Sequence, residues 1–178
     1  DAESRHLVLL CENEEGYRNL SYLVSMGWTE GFYIRPRIDL PLLREHSRGL
    51  IALSACLAGE IPRRLKNGEY ENAKSYALEL AEIFGPDHFY LELQDHGIRD
   101  QALVNQGILR LHQDTGLPMV CTNDAHSLRK EDAEAHDILL CIQTGKALDD
   151  ENRMRYEPRN FYLRSEAEMA ALFQDYEG

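Results

Sequence analysis

Four short apolar runs, each followed by a stretch of helical periodicity, constrain this chain more than any other feature. They are HLVLLC at 6–11, LIALSAC at 50–56, FYLEL at 89–93 and the Met119–Cys121 part of PMVCTNDAHS at 118–127. Runs of this length fit strands, and the intervening three- and four-residue spacing fits helices. The pattern predicts an α/β protein of repeated βα units around a parallel sheet. The first helix is expected to bury Tyr17, Leu20, Leu23 and Val24, before a loop broken by Pro36. The second, after a glycine-rich turn, carries Tyr70, Ala73, Tyr76, Ala77, Leu80, Ala81 and Phe84 and stops at Gly85 and Pro86. The third carries Val104, Ile108 and Leu111 and ends near Gly116. A fourth, near 131–144, is expected to bury Ala135, Ile138, Leu139 and Ile142. A last run, NFYLRS, leads into SEAEMAALF, where Ser165 and Glu168 have capping-box spacing. The polar stretch 145–160 between them is expected to cross the surface.

At 178 residues the chain has room for one domain or a large piece of a bigger one. No apolar run approaches the roughly 18 residues of a membrane span. The start, DAESRHLVLL, lacks an initiating Met and a basic signal-peptide region, so it reads as a cut inside a longer protein. Cys11, Cys56, Cys121 and Cys141 form no C-x-x-C pair, which argues against a disulfide framework or zinc knuckle and for a cytoplasmic location. The net charge of -12 repels phosphate backbones, so this segment by itself is not expected to grip nucleic acid. Metal ions could supply the positive charge that a phosphodiester requires.

Chemistry-bearing residues gather where the apolar runs stop: Cys56 after LIALSA, His96 after FYLELQD, and Asp124 with His126 after PMVCTN. In βα architectures the carboxyl ends of parallel strands share one face, where active sites sit. On extended backbone, residues two apart point the same way, so Asp124 and His126 could hold a carboxylate and an imidazole over one point. His6 differs, because it opens its run. Each residue also has an ordinary structural use: a buried thiol for Cys56, hydrogen-bonded histidines at 6 and 96, and a turn cap at Asp124. Spacing alone reaches a βα protein with a plausible metal site.

The segments RHLVLLCENEEGYRNL, EGFYIRPRIDLPLLREHSRGLIALSACLAGEIP, FYLELQDHG, PMVCTNDAHSLRKEDAEAHDILLCIQTG and NFYLRSEAEMAALF resemble, in order and spacing, the PHP domain of bacterial replicative DNA polymerase III alpha subunits. The resemblance covers essentially the whole chain. It implies a distorted (β/α)7 barrel with a metal cluster at the carboxyl ends of the strands. The family's opening His-x-His motif lies upstream of the part matching HLVLL. Residues 1–178 are therefore expected to be a carboxyl-terminal portion of that domain, lacking its amino-terminal strands and ending just before the polymerase palm region.

By the same resemblance, His6, Cys56, Asp124 and His126 match metal ligands of the family, and His96 matches a residue at the edge of the cluster, a possible metal or substrate contact. No catalytic residue beyond the ligands is implied. The complete domain would hold two or three divalent ions, zinc or manganese, and hydrolyse phosphodiesters as a 3'-5' exonuclease within a DNA-directed DNA polymerase. Its partners would be the DNA primer 3' end and other polymerase III holoenzyme subunits, with no membrane. Two alternatives stay open: a non-catalytic scaffold of the polymerase, and a phosphoesterase of the histidinol-phosphatase type.

Overall fold

The structure is a computed structural model that describes residues 4–176, so the expected domain limits at 1 and 178 lie outside the described residues. Four strands form a single sheet in the order β1 (Val8–Cys11), β2 (Leu50–Leu53), β3 (Phe89–Leu93) and β4 (Met119–Cys121). The last two junctions are parallel, with Leu53 beside Tyr90 and Leu91 beside Met119. The first junction is not. β1 runs antiparallel to β2, with Val8 opposite Leu53 and Cys11 opposite Leu50, contrary to the expected all-parallel sheet. The long connection between them, 12–49, carries α1 (Glu14–Thr29) and α2 (Leu40–Glu45) and returns the chain to the end of the sheet that β1 has just reached.

Along β3 the pleat separates two chemistries. Phe89, Leu91 and Leu93 are almost fully buried in the hydrophobic core, while Glu92 and Gln94 alternate onto the other face. Leu50 and Ala52 of β2 join the core side. That core is closed by α1, α3 (Glu60–Lys66), α4 (Tyr70–Phe84), α5 (Arg99–Thr115) and α7 (Glu166–Leu172), which supply Leu23, Ile61, Ala77, Leu80, Val104, Ile108 and Met169. The strands from β2 to β4 follow in sequential order, and crossovers of one hand place successive helices on one face of such a sheet. The opposite face is left for the polar residues.

α4 and α5 bury the faces read from sequence, and Gly85 and Gly116 end them at positive φ. In α7 the Ser165–Glu168 capping box forms in both directions. α1 turns differently. Its buried stripe is Gly16, Leu23 and Gly27, with Leu20 partly covered, whereas Tyr17 and Val24 are exposed. The glycines explain the rotation, because they let the helix lie directly on the chain entering β2. A Cβ on Gly16 would stand 1.7 Å from the carbonyl oxygen of Gly49. Gly16→Ala is therefore expected to cost about 1–3 kcal/mol or more, measured as a lowered denaturation midpoint with an unchanged m-value.

The fourth predicted helix forms as a 3-10 turn, Lys130–Asp132, followed by α6 (Ala133–Thr144). Its expected face is wrong: Ile138, Leu139 and Ile142 are exposed. The covered stripe is Ala133, His136, Asp137 and Leu140, against Tyr156 and Phe161 of the following segment. An Arg153–Asp137 ion pair, with Arg153 Nη2 2.7 Å from Asp137 Oδ2, fastens that segment down. Polar residues in the true stripe hid it from a hydrophobic pattern. Residues 145–165 contain no helix or strand, and NFYLRS makes only an isolated bridge, Ser127 with Tyr162, instead of a strand.

Candidate metal centre

The antiparallel first strand changes what the sheet gathers. Because β1 runs against β2, the start of β1 lies at the same end as the carboxyl ends of β2 and β3, so His6 arrives beside Cys56. The His6 N–H donates to Ala58 O at 3.1 Å, and His6 Nδ1 stands 3.7 Å from Cys56 Sγ. Next to Gly59, which bridges His6, Glu60 at the amino end of α3 accepts from Arg5 Nε at 3.0 Å and from Arg63 and Arg64. The Arg63 guanidinium above all, with Arg64, holds the Glu60 carboxyl down at about 2. A carboxylate with a lowered folded pKa stabilises fully above its unfolded value near 4.5 and loses that contribution as pH falls toward 2. Glu60→Gln is expected to lower neutral-pH stability on the order of 1 kcal/mol, solvent around the arginines screening the rest. The difference from wild type should vanish between pH 4.5 and 2 in acid titrations of the melting temperature.

A cleft of about 520 Å³ opens at this end of the sheet, lined by His6, Cys56, Glu92, Gln94, Thr122 and Asp124 among others. Cys56 is half-buried. Burial first, and then the negative charges of Asp124 and Glu92, push its thiol pKa up, against backbone hydrogen bonds that lower it. In these surroundings a free thiolate nucleophile is disfavoured, and a cation in the cleft would reverse the balance. Asp124 is not on extended backbone: β4 ends at Cys121 and Asp124 has φ 41°, in the left-handed region that Asp tolerates better than most residues. The predicted strand geometry therefore fails, yet the pair still meets, with His126 Nε2 3.4 Å from Asp124 Oδ1.

The His126 ring also packs against an aromatic cluster, 4.5 Å from Tyr156 and 5.5 Å from His136. Burial, then the His126 charge, pushes His136 down. His96 is buried, stacked on Phe161 at 4.0 Å. Its Nδ1 accepts from Gln101 Nε2 at 2.9 Å, because Gln101 Oε1 is already taken by the His96 N–H, and its Nε2–H donates to Asn123 O at 2.7 Å. Both ring nitrogens are thus spent on protein atoms.

Thiol, imidazole and carboxylate together are the chemistry of a zinc or manganese site. Gln94 Oε1 adds an acceptor on the cleft lining that is buried without a hydrogen-bond partner. The donor types fit a divalent ion. Their arrangement is incomplete, since among the described residues no three His, Cys, Asp or Glu side chains converge as a cage. Sequence reasoning passed over Glu92 and Tyr156. Glu92 was visible as a charge inside the apolar run FYLEL; Tyr156, in a polar connection, gave no signal.

Residues 1–96 match the PHP domain family. The chain belongs to that family. Curated relatives are similar to nearly the whole chain, beyond the part that the family model matches. A DNA polymerase III subunit alpha of Borreliella burgdorferi is 48% identical over 172 residues, 97% of this chain and 15% of the relative. The corresponding subunit of Thermus aquaticus is 45% identical over 172 residues, 97% of the chain and 14% of the relative. That of Helicobacter pylori strain J99 is 44% identical over 180 residues, 96% and 15%. This PHP chain thus spans about 15% of the length of those relatives. Among the described residues no helix is long and apolar enough to cross a membrane.

Proposed function

We propose that residues 1–178 are the carboxyl-terminal portion of the PHP domain of a bacterial replicative DNA polymerase alpha subunit. Their cleft then forms part of a divalent-metal centre for phosphodiester hydrolysis, the 3'-5' proofreading of a primer end. The observation that carries this reading is that His6, Cys56 and Asp124 line one cleft, His6 paired with Cys56 and Asp124 with His126. The sequential strands with helices on one face support a barrel wall, and the mixed donor set supports zinc or manganese. Bound divalent ions supply a Lewis acid and a nucleophile at neutral pH for attack on phosphorus.

The protein's own residues divide the remaining work. His6, Cys56, Asp124 and His126 offer the donors, and Tyr156 packs against the His126 ring. Glu92 and Gln94 line the floor of the cleft. The acidic net charge of -12 makes access of a DNA end dependent on cations in the cleft and on basic surface supplied elsewhere in the polymerase. Other holoenzyme subunits are the remaining partners, and bacterial cytoplasm the location.

A scaffold role for the domain within the polymerase is the second reading, favoured by the absence of a converged cage among the described residues and by the spent ring of His96. Zinc and manganese content of the full-length protein, with nucleotide release from a mispaired 3' end, separates the two. Stoichiometric metal with release supports hydrolysis; neither metal nor release leaves the scaffold. Release of phosphate from small phosphomonoesters instead would indicate a histidinol-phosphatase type of activity.

A further inference from the structure

Glu92 is the one buried acidic residue among the described residues, and none of its hydrogen bonds is to a cation. Its Oε2 accepts the N–H of Ala55 at 2.8 Å. Its Oε1 accepts Gln94 Nε2 at 2.9 Å and the hydroxyl of Thr122. Its own N–H donates to Ser54 Oγ at 2.8 Å. The carboxylate therefore holds two separate turns. One is the turn after β2, where Ala55, at φ 65°, precedes Cys56; the other is the turn after β4, where Thr122 leads to Asp124, at φ 41°. Left-handed backbone at residues other than glycine persists only where its surroundings hold it. Here the same side chain grips both turns, from a strand that lies between them in the sheet.

We infer that Glu92 is a positioning residue that fixes Cys56 and Asp124 relative to each other, so that an ion requiring both finds them in place. The inference rests on the reading of Cys56 and Asp124 as ligands. A carboxylate suits the task because three donors converge on it and it offers acceptors only. Glutamine has the same shape, but its NH₂ group must face either the Ala55 N–H or the Gln94 amide and the Thr122 hydroxyl. Facing Ala55 it releases the turn after β2. Facing the other two it holds the turn after β4 only if the Thr122 hydroxyl and the Gln94 amide reverse to accept, which exchanges a charged acceptor for a neutral donor. Thr122→Val removes only the connection on the Asp124 side.

The test uses the full-length protein, stripped of metal, as wild type, E92Q and T122V. Hydrogen exchange is read at the amides of 55–57 and 122–126, with those of Leu91 and Leu93 as internal reference. E92Q is expected to accelerate exchange about tenfold or more at one or both turns while β3 stays protected, and T122V at 122–126 alone. Cobalt(II) titration follows, reading affinity and the thiolate-to-cobalt absorption band. E92Q is expected to weaken uptake about 10- to 100-fold and reduce that band. Unchanged exchange at both turns in E92Q and T122V alike overturns the inference, as does loosened exchange with cobalt affinity and band intact. If wild type takes up no cobalt, the ligand reading falls, and exchange alone decides whether Glu92 ties the turns. If E92Q does not fold, T122V decides: loosening confined to 122–126 supports the tie, and none overturns it.

Discussion

His126→Ala and Asp124→Ala, each made in the full-length protein, are expected to lower bound zinc or manganese and mismatch-dependent nucleotide release by about 100-fold, with polymerisation changed far less. Loss of groups that merely orient ligands commonly costs about 10- to 100-fold, and loss of a ligand should cost at least as much. The two residues stand 3.4 Å apart at their nearest polar atoms, so each substitution also leaves its neighbour without a partner. The Asp124 side chain is about one-third exposed, so its removal should move the melting temperature of the metal-free protein little, whereas His126→Ala also removes ring packing against Tyr156 and Phe161 and should lower it more. Metal content measured after gel filtration, beside primer extension on the same samples, checks the expectation. Unchanged metal in His126→Ala would remove it from the ligand set.

Residues 1–178 expressed alone are expected to bind zinc and manganese on the order of 100-fold more weakly than the full-length protein. They should trim no mispaired ends and extend no primer. Four candidate donors, in two pairs, cannot close the roughly four-coordinate shells of two or three ions. The sheet also ends at β1 with Leu10 49% exposed, and Tyr17, Val24 and Trp28 of α1 stand in solvent beside it. An open strand edge next to apolar helix surface invites self-association. Adding the upstream region is expected to restore metal uptake and reduce aggregation together. Stoichiometric ion clusters in the short protein, with trimming as fast as in the full-length one, would sink the proposal that donors outside residues 1–178 complete the centre.

The apolar runs and helical spacings were enough to place all four strands, and to assign the buried faces of α4 and α5, because those faces are continuous stripes of Ala, Leu, Val, Ile and Phe. Helix ends at Gly85 and Gly116 and the Ser165 capping box were equally local. Faces that depend on what covers them were not legible. α1 packs through Gly16 and Gly27, and α6 through His136 and Asp137, residues that a hydrophobic pattern discounts. The helices α2 and α3 are short, and tertiary contacts stabilise them more than propensity does.

For the site, sequence determined the inventory: a histidine, a cysteine and an Asp-x-His at the borders of apolar runs. Only the tertiary structure decided their company. Strand direction is set by how a 38-residue connection returns, which no residue of HLVLLC encodes, and that direction brings His6 to Cys56. Asp124 meets His126 through a left-handed turn instead of a strand, and that turn is held by Thr122 on Glu92, a contact between residues thirty positions apart. Hydrogen bonds across strands and the path of a long connection are global properties, so they appear only once the sheet has formed.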